Sequence, residues 1–209
     1  RFEAANGGTL LLDEIGELFS LENVGRSPAR AEPPKLAWLG QHYIKQLSGD
    51  DLFARVRPHL ERVKGGPVVD EDGLRKLLDL LRERSRTLSE MAELAHWKLF
   101  DTIDYDEKAV KKHLRPAALP VLRALEQALQ RLPEWTLAGL EKVFDETAAA
   151  LGDVKLGKLA QPVRVAVTGG PNSPGIFETL EVLGRERTLE RVGHAVGLIE
   201  ARVESASGD

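Results

Sequence analysis

Basic side chains flank a turn rich in glycine and proline late in the chain. The turn is GGPNSPG at 169–175, inside the segment KLGKLAQPVRVAVTGGPNSPGIFETLEVLGRER at 155–187, and an apolar segment stands on either side of it. Small residues let backbone N–H and C=O groups approach a ligand closely, and cations nearby attract polyanions. The stretch is therefore a candidate polyanion-binding site.

A second basic cluster, RERSR at 82–86, ends a predicted helix and precedes Thr87. Arg82, Arg84 and Arg86 would be exposed at this turn. Charges at the end of a helix commonly complement the helix dipole and remain solvated. The sequence alone leaves both a binding role and this structural role open.

The segment GGTLLLDEIGEL near the start superficially resembles the Walker B strand of AAA+ ATPases, with Asp13 and Glu14 after an apolar run. That chemistry also needs a loop of the type GxxxxGK[ST] to hold the phosphates, and this chain contains none. The alternative places both carboxylates in the first turn of a helix that runs to about Glu22, where they suit the positive end of the dipole.

Other catalytic signatures are missing from the sequence. It has no cysteine, no GxSxG motif, and no pair of histidines with ligand spacing. Thiolate chemistry is thereby excluded, and we expect no metal site and no cofactor in this chain. No active site is visible.

Composition narrows the class of protein further. The net charge of −4 and the pI near 5.8 argue against nonspecific coating of nucleic acid, and 5% aromatic content favours helices. No segment approaches the roughly 18 apolar residues that span a bilayer, so we expect a cytoplasmic protein without a membrane partner. The chain begins with Arg1, and we expect it to be a piece whose missing part holds other functions.

Apolar spacing and capping residues predict helices along most of the chain. The first should bury Leu36, Trp38, Leu39, Tyr43, Ile44 and Leu47 against the core. An acidic segment near Ile103 looks like a hinge between two helical units. Further helices are predicted at about 48–65, 70–81, 87–94, 106–114, 119–132 and 136–151.

From about Leu12 to Ala201, the chain resembles the C-terminal half of bacterial glutamyl-tRNA synthetases. KLAWLGQHYI at 35–44 is similar to the family's KLxWxNxxYI helix, and 155–192 is similar to KxGxxxxPxRxALTGxxxSPGxFExxxxLGKExxLxRL. LDEIGELFSLENVGRSPA also continues into that pattern, so the ATPase interpretation is discarded. The chain departs from the pattern at Gly16, at Gly40, where Asn is usual, and at Arg30-Ala31.

The resemblance implies an all-α fold of two consecutive helical bundle or cage domains. Residues 1–34 would be a connector that ends the stem-contact segment, and 35–103 and 104–209 would be the first and second anticodon-binding domains. The family's His-Ile-Gly-His and Lys-Met-Ser-Lys-Ser signatures do not occur here. We therefore expect a chain that binds tRNA-Glu as a monomer, without DNA, while the parent ligase uses ATP and Mg²⁺ to attach glutamate.

The same resemblance implies tRNA contacts for individual residues. Arg84 would read the third anticodon base, where relaxed-specificity members often have Gln, and this favours a discriminating enzyme. Arg164 and the turn residues would contact the other anticodon-loop nucleotides, and flanking cations would hold phosphates. The predicted loop contacts are Arg164, Ser173, Pro174, Gly175 and Ile176, and the predicted phosphate contacts are Lys155, Lys158, Arg185 and Arg187.

Two alternatives remain beside this interpretation. PVRVAV at 162–167 has the β-branched content of a strand, and it is predicted to be helical only because the resemblance overrides that propensity. Ser173-Pro174-Gly175 is also an ordinary turn at the start of a helix. The alternative function is a helical protein-interaction module that keeps the fold without binding tRNA.

Overall fold

The computed structural model describes residues 32–66 and 70–207. Within these ranges there are eleven α-helices, one short 3-10 turn at Pro116–Ala118 and no strand, which confirms the all-α prediction. The helices are α1 Pro33–Gln46, α2 Gly49–Lys64, α3 Glu71–Leu81, α4 Leu88–Leu94, α5 His96–Leu99, α6 Glu107–His113, α7 Leu119–Arg131, α8 Leu137–Ala150, α9 Leu156–Thr168, α10 Ile176–Leu183 and α11 Arg185–Ser207.

Local capping chemistry sets several helix ends where the sequence predicts them. Ser48 Oγ accepts a hydrogen bond from the Asp51 N–H at 3.1 Å at the start of α2, and Thr87 Oγ1 accepts from Glu90 N at 3.1 Å at the start of α4. Each bond satisfies a backbone donor that has no partner inside its helix. The predicted starts of these two helices, near residues 48 and 87, are thus confirmed.

Helix α1 forms as predicted, but its predicted burial is wrong. Leu36, Trp38, Leu39 and Tyr43 are exposed, whereas Ile44 is buried and Leu47 is partly buried. The side of α1 that faces the core is fixed by polar contacts: Arg82 NH1 donates to the carbonyls of Ile44 at 3.0 Å and Leu47 at 2.6 Å. Apolar spacing predicts a face of a helix, but tertiary contacts decide which face is covered.

Helix α9 is the strand-like segment that the resemblance assigned to a helix, and that prediction is confirmed. It is buried on nearly all sides, including Val163, Val165 and Val167. The intrinsic helix penalty of β-branched residues is below about 0.7 kcal/mol each, which burial of their side chains outweighs. Gly169 ends α9 at φ 78°, and a Cβ there would lie 2.1 Å from the Asp104 carbonyl oxygen.

The described residues 37–66 and 70–207 belong to the larger of two compact units. In the larger unit α3 packs against α10, and α5 packs against α9. The boundary near residue 103 stays a prediction, as do the domain limits. The predicted connector at 1–34 and the Asp13–Glu14 helix lie outside the described residues except for 32–34. Among the described helices, none has the length and apolar character to cross a membrane.

Candidate functional site

The turn at 169–175 is held together by the last residues of α9. Thr168 Oγ1 lies 2.9 Å from the Arg164 carbonyl and 3.1 Å from the Gly170 carbonyl, so it can donate to either. Ser173 Oγ lies 2.9 Å from Thr179 Oγ1 on α10. These bonds connect both ends of the turn to the helices that flank it.

Arg164 extends from α9 to Ser173 and Pro174 in this turn. Its NH1 group donates to Ser173 Oγ and, at 2.6 Å, to the Pro174 carbonyl. Burial lowers the pKa of Arg164, and the nearby positive charge of Arg84 acts in the same direction. The guanidinium nevertheless remains charged at neutral pH.

Arg84 reaches the same turn from the segment between α3 and α4. Its NH1 donates to the Ser173 carbonyl at 2.7 Å, and the side chain is exposed. Two arginines that are 80 positions apart in sequence therefore converge on Ser173. Each uses only NH1 in these bonds, so NH2 and Nε have no acceptor among the described residues.

The segment that carries Arg84 is positioned by α1. Gln41 Nε2 donates to the Glu83 carbonyl at 2.9 Å, and Lys45 pairs with the Glu83 carboxylate. At Gly40 the backbones come so close that a Cβ would lie 2.4 Å from the Arg86 carbonyl oxygen. A larger residue there would have to push α1 away from this segment.

The remaining predicted base contacts differ in exposure. Ser173 and Gly175 are half-buried, whereas Pro174 and Ile176 are buried in the free protein. Ile176 begins α10 and packs in the core. Ser173 therefore presents the polar atoms of this turn, while Pro174 and Ile176 support it from beneath.

The four predicted phosphate contacts fall into two groups. Lys155 and Lys158 are exposed at the start of α9. Arg185 instead donates to the carbonyls of Leu132 and Pro133, and its guanidinium carbon lies 5.6 Å from the centre of the Trp135 ring. Arg187 pairs with the Asp101 carboxylate at 2.7 Å. The phosphate role of all four stays a prediction.

Two buried basic residues were not predicted from the sequence. Arg191 is 3% exposed and Lys98 is 6% exposed. Arg191 donates to the Val167, Trp97 and Phe100 carbonyls at 2.6, 2.9 and 2.6 Å. Their acceptors are between 24 and 94 positions away, so no local pattern could identify them.

The described residues contain no group of three or more His, Asp or Glu side chains that could hold a metal ion. The polar groups around Ser173 are hydrogen-bond donors and acceptors. This arrangement suits recognition of a polar ligand by planar guanidinium groups.

Comparison with known sequences identifies the family. A sequence model described as "Anticodon binding domain" matches residues 51–196. The chain belongs to this family. It is 40% identical over 187 residues to a glutamate–tRNA ligase of Syntrophobacter fumaroxidans and 41% identical over 187 residues to one of Geobacter sulfurreducens. Each match covers 90% of this chain and 40% of the relative.

Solved structures share the fold of this chain. A glutamate tRNA ligase from Elizabethkingia meningosepticum, in complex with its amino acid, matches 87% of this chain and 35% of its own chain. The TM-score is 0.76 at 23% identity. A glutamate-tRNA synthetase from Elizabethkingia anophelis gives a TM-score of 0.71 at 23% identity, over 86% and 34% of the two chains. The family resemblance predicted from the sequence is confirmed.

Proposed function

We propose that this domain recognises the anticodon loop of tRNA-Glu, as the C-terminal part of a ligase that attaches glutamate to that tRNA using ATP. The observation that carries the proposal is the convergence of Arg84 and Arg164 on Ser173. Relatives that are named glutamate–tRNA ligases and are about 40% identical support the choice of tRNA. The chain spans 40% of the length of those relatives, so the ligase activity belongs to the proposal.

The chemistry of the two arginines suits bases in an RNA loop. Unpaired bases expose their hydrogen-bonding edges and can stack on a guanidinium plane. A guanidinium also presents two parallel N–H groups, which match two acceptors on one base edge. Arg84 and Arg164 each keep NH2 and Nε available toward a ligand, since the protein bonds found in the described part of the chain use only NH1.

The assignment of roles follows the sequence. Arg84 reads the third anticodon base and makes the enzyme a discriminating one. Arg164, with Ser173, Pro174, Gly175 and Ile176, contacts the other loop nucleotides, and Lys155 and Lys158 contact phosphates. We also propose that the domain acts as a monomer in the cytoplasm, and that ATP and Mg²⁺ are used by the whole ligase outside this chain.

Titration of the domain with tRNA-Glu and with an anticodon-swapped transcript tests the proposal. Fluorescence anisotropy at several salt concentrations should show tighter binding of tRNA-Glu. Arg84→Gln should reduce the preference for the correct third base by roughly 10- to 100-fold, as expected when an arginine that contacts a base edge is lost. Arg86→Gln is the matched control, because its side chain is exposed in the same segment.

The outcomes separate the candidate functions. Equal affinity for both transcripts in the wild-type domain would contradict anticodon recognition. A complete lack of tRNA binding would favour the protein-interaction module. Equal losses in Arg84→Gln and Arg86→Gln would show that the segment contributes only charge.

A further inference from the structure

A basic groove lies between α6, the 3-10 turn and the start of α9. It encloses about 520 Å³, and its charged or titratable lining residues are Lys112, His113, Arg115 and Lys158. No carboxylate lines it. Three other cavities each contain two carboxylates: Asp101 with Glu190, Asp70 with Asp101, and Glu134 with Glu146.

The cations in this groove have no protein counter-charge among the described residues. Lys112, Arg115 and Lys158 are exposed, and none forms a side-chain hydrogen bond or ion pair there, whereas nearby Lys111 pairs with Glu107 at 3.6 Å. Partial burial lowers the pKa of His113, and the positive charges of Lys112 and Arg115 lower it further. No ion pair among the described residues therefore neutralises the positive charge of this groove.

The backbone adds to this positive charge. The 13-residue helix α9 begins at Leu156, between the groove residues Val154 and Gly157. Its N-cap residue is Lys155, and no side chain there accepts a hydrogen bond from the first backbone N–H groups. The first N–H groups of a helix have no intrahelical acceptor and favour anions. A basic N-cap residue increases the positive charge at that end, where acidic residues would be more stable.

We propose that this groove binds consecutive phosphates of an RNA backbone, at a second contact separate from the Arg84–Arg164 cluster. The inference rests on the proposed function for its ligand, because α9 carries Arg164 and also lines part of the groove, at Gly157, Lys158, Gln161 and Pro162. The groove is open and lined by flexible cations, which neutralise backbone charge without distinguishing bases. It contributes affinity and salt dependence, while the arginine cluster contributes sequence preference.

The test compares two variants that lose equal charge. In one, Lys112→Met, Arg115→Met and Lys158→Met remove the groove cations. In the control, Lys76→Met, Arg131→Met and Lys142→Met remove exposed cations elsewhere. Affinity for tRNA-Glu is measured across a salt series, and urea unfolding checks that each variant is folded. A milder variant, Lys112→Met with Lys158→Met, replaces the first if it does not fold.

The groove variant should bind tRNA-Glu more weakly and with a smaller salt dependence. Three lost phosphate contacts reduce the slope of log K against log salt by about 2, at about 0.7 per contact for single strands. The ratio of affinities for tRNA-Glu and the anticodon-swapped transcript should not change. The control should keep a slope within about 0.7 of the wild type, less than one contact's contribution.

Several results would overturn the groove proposal. Equal slopes in the groove variant and the control would do so, even if the wild type discriminates between anticodons and the proposed function stands. If the wild type binds both transcripts equally, anticodon reading fails, but a reduced slope in the groove variant would still support a backbone contact. No binding of either transcript would overturn both proposals.

A final arm distinguishes RNA from free phosphate as the source of the anion. Inorganic phosphate and potassium chloride are compared as competitors at equal ionic strength. An RNA-backbone site predicts that phosphate weakens tRNA binding more strongly in the wild type than in the groove variant, because the RNA and the free anion compete for the same cations. If phosphate binds the wild type but not the groove variant, while tRNA-Glu binds both with equal affinity and salt dependence, the groove binds small anions and the proposal is wrong.

Discussion

Arg164 and Arg191 show how one side-chain chemistry serves two purposes in this domain. Both donate to backbone carbonyls, but Arg164 is only half-buried and bonds the turn at Ser173 and Pro174. Arg191 is 3% exposed, and its NH1 and NH2 groups donate to carbonyls near the ends of α5 and α9. Accessibility separates the candidate binding arginine from the structural one.

Lys98 follows the pattern of Arg191. Its Nζ group donates to the Val182 carbonyl at 2.7 Å in the last turn of α10 and pairs with Asp70 at 2.8 Å. The last carbonyls of a helix have no intrahelical donor, so buried cations are suitable partners for them. Buried basic residues that bond to backbone carbonyls are therefore structural, although the sequence alone does not distinguish them from basic residues that could bind a ligand.

Arg191→Met should have the largest effect on stability. It leaves the Val167, Trp97 and Phe100 carbonyls without their donor, and each buried acceptor left unsatisfied costs about 1–3 kcal/mol. Urea unfolding followed by circular dichroism measures the change. Arg202→Met, at an exposed position of the same helix, should stay within about 0.5 kcal/mol. If Arg191→Met lost as little unfolding free energy as Arg202→Met, the distinction between a structural Arg191 and a ligand-binding Arg164 would not hold.

This division explains why the sequence predicted some features and missed others. Local apolar spacing predicted the helix at 70–81, and the buried face of α3 consists of residues at that spacing, Leu74, Leu77, Leu78 and Leu81. Arg84 and Arg164 were singled out through the family resemblance. Arg191 stands in a helix among other charged residues, and only its distant carbonyl partners distinguish it.

In helix α1, apolar spacing likewise does not predict which residues are buried. Its spacing correctly predicted a helix, but Trp38 and Tyr43 are exposed. The contacts that orient α1 involve Gly40, Gln41 and backbone carbonyls against residues 82–86. Such contacts depend on the arrangement of distant segments, which apolar periodicity does not encode.

Tyr105→Phe should produce a smaller and pH-dependent effect. Tyr105 donates to the Ala166 carbonyl at 3.1 Å, a bond that contributes about 1 kcal/mol. Burial raises the pKa of Tyr105 to about 12, although the charge of Arg191 opposes the increase. Folding therefore favours the neutral phenol, and this contribution is complete below pH 10 and is lost as the pH rises toward 12.

The measurement is the difference in unfolding free energy between the wild type and Tyr105→Phe at several pH values. The wild type should be more stable at pH 8, and its advantage should shrink between pH 10 and 12. Because both proteins contain the same lysines, their titration cancels in the difference. A difference that does not change with pH would mean that the phenol is not perturbed.

Asp70→Asn should remove the ion pair between Asp70 and Lys98 and thereby lower the stability of the domain at neutral pH. Burial opposes ionisation of Asp70, but hydrogen bonds from Lys98 and the Gly73 N–H outweigh it and hold the pKa of this carboxyl below its usual value. The carboxylate therefore stabilises the fold above its unfolded pKa, and the contribution is lost as the pH falls through the lower, folded-state pKa.

Unfolding measured from pH 7 to pH 2 should show the wild type more stable than Asp70→Asn at pH 7, with the two converging in acid. Asn can still cap α3, so the variant isolates the charge. Asp72→Asn, on the exposed first turn of the same helix, is the control and should show no comparable convergence. Parallel curves for the wild type and Asp70→Asn would exclude a contribution from ionised Asp70.

Arg84→Gln should have the smallest effect on stability, although it removes a residue of the candidate site. Its single bond to the Ser173 carbonyl is exposed to solvent, and substitutions at such positions usually change stability by less than about 0.5 kcal/mol. Unfolding of Arg84→Gln should therefore match that of Arg86→Gln, while the two differ in anticodon preference. If Arg84→Gln instead destabilised the domain as strongly as Arg191→Met, Arg84 would be a structural arginine, and accessibility would not distinguish the two kinds.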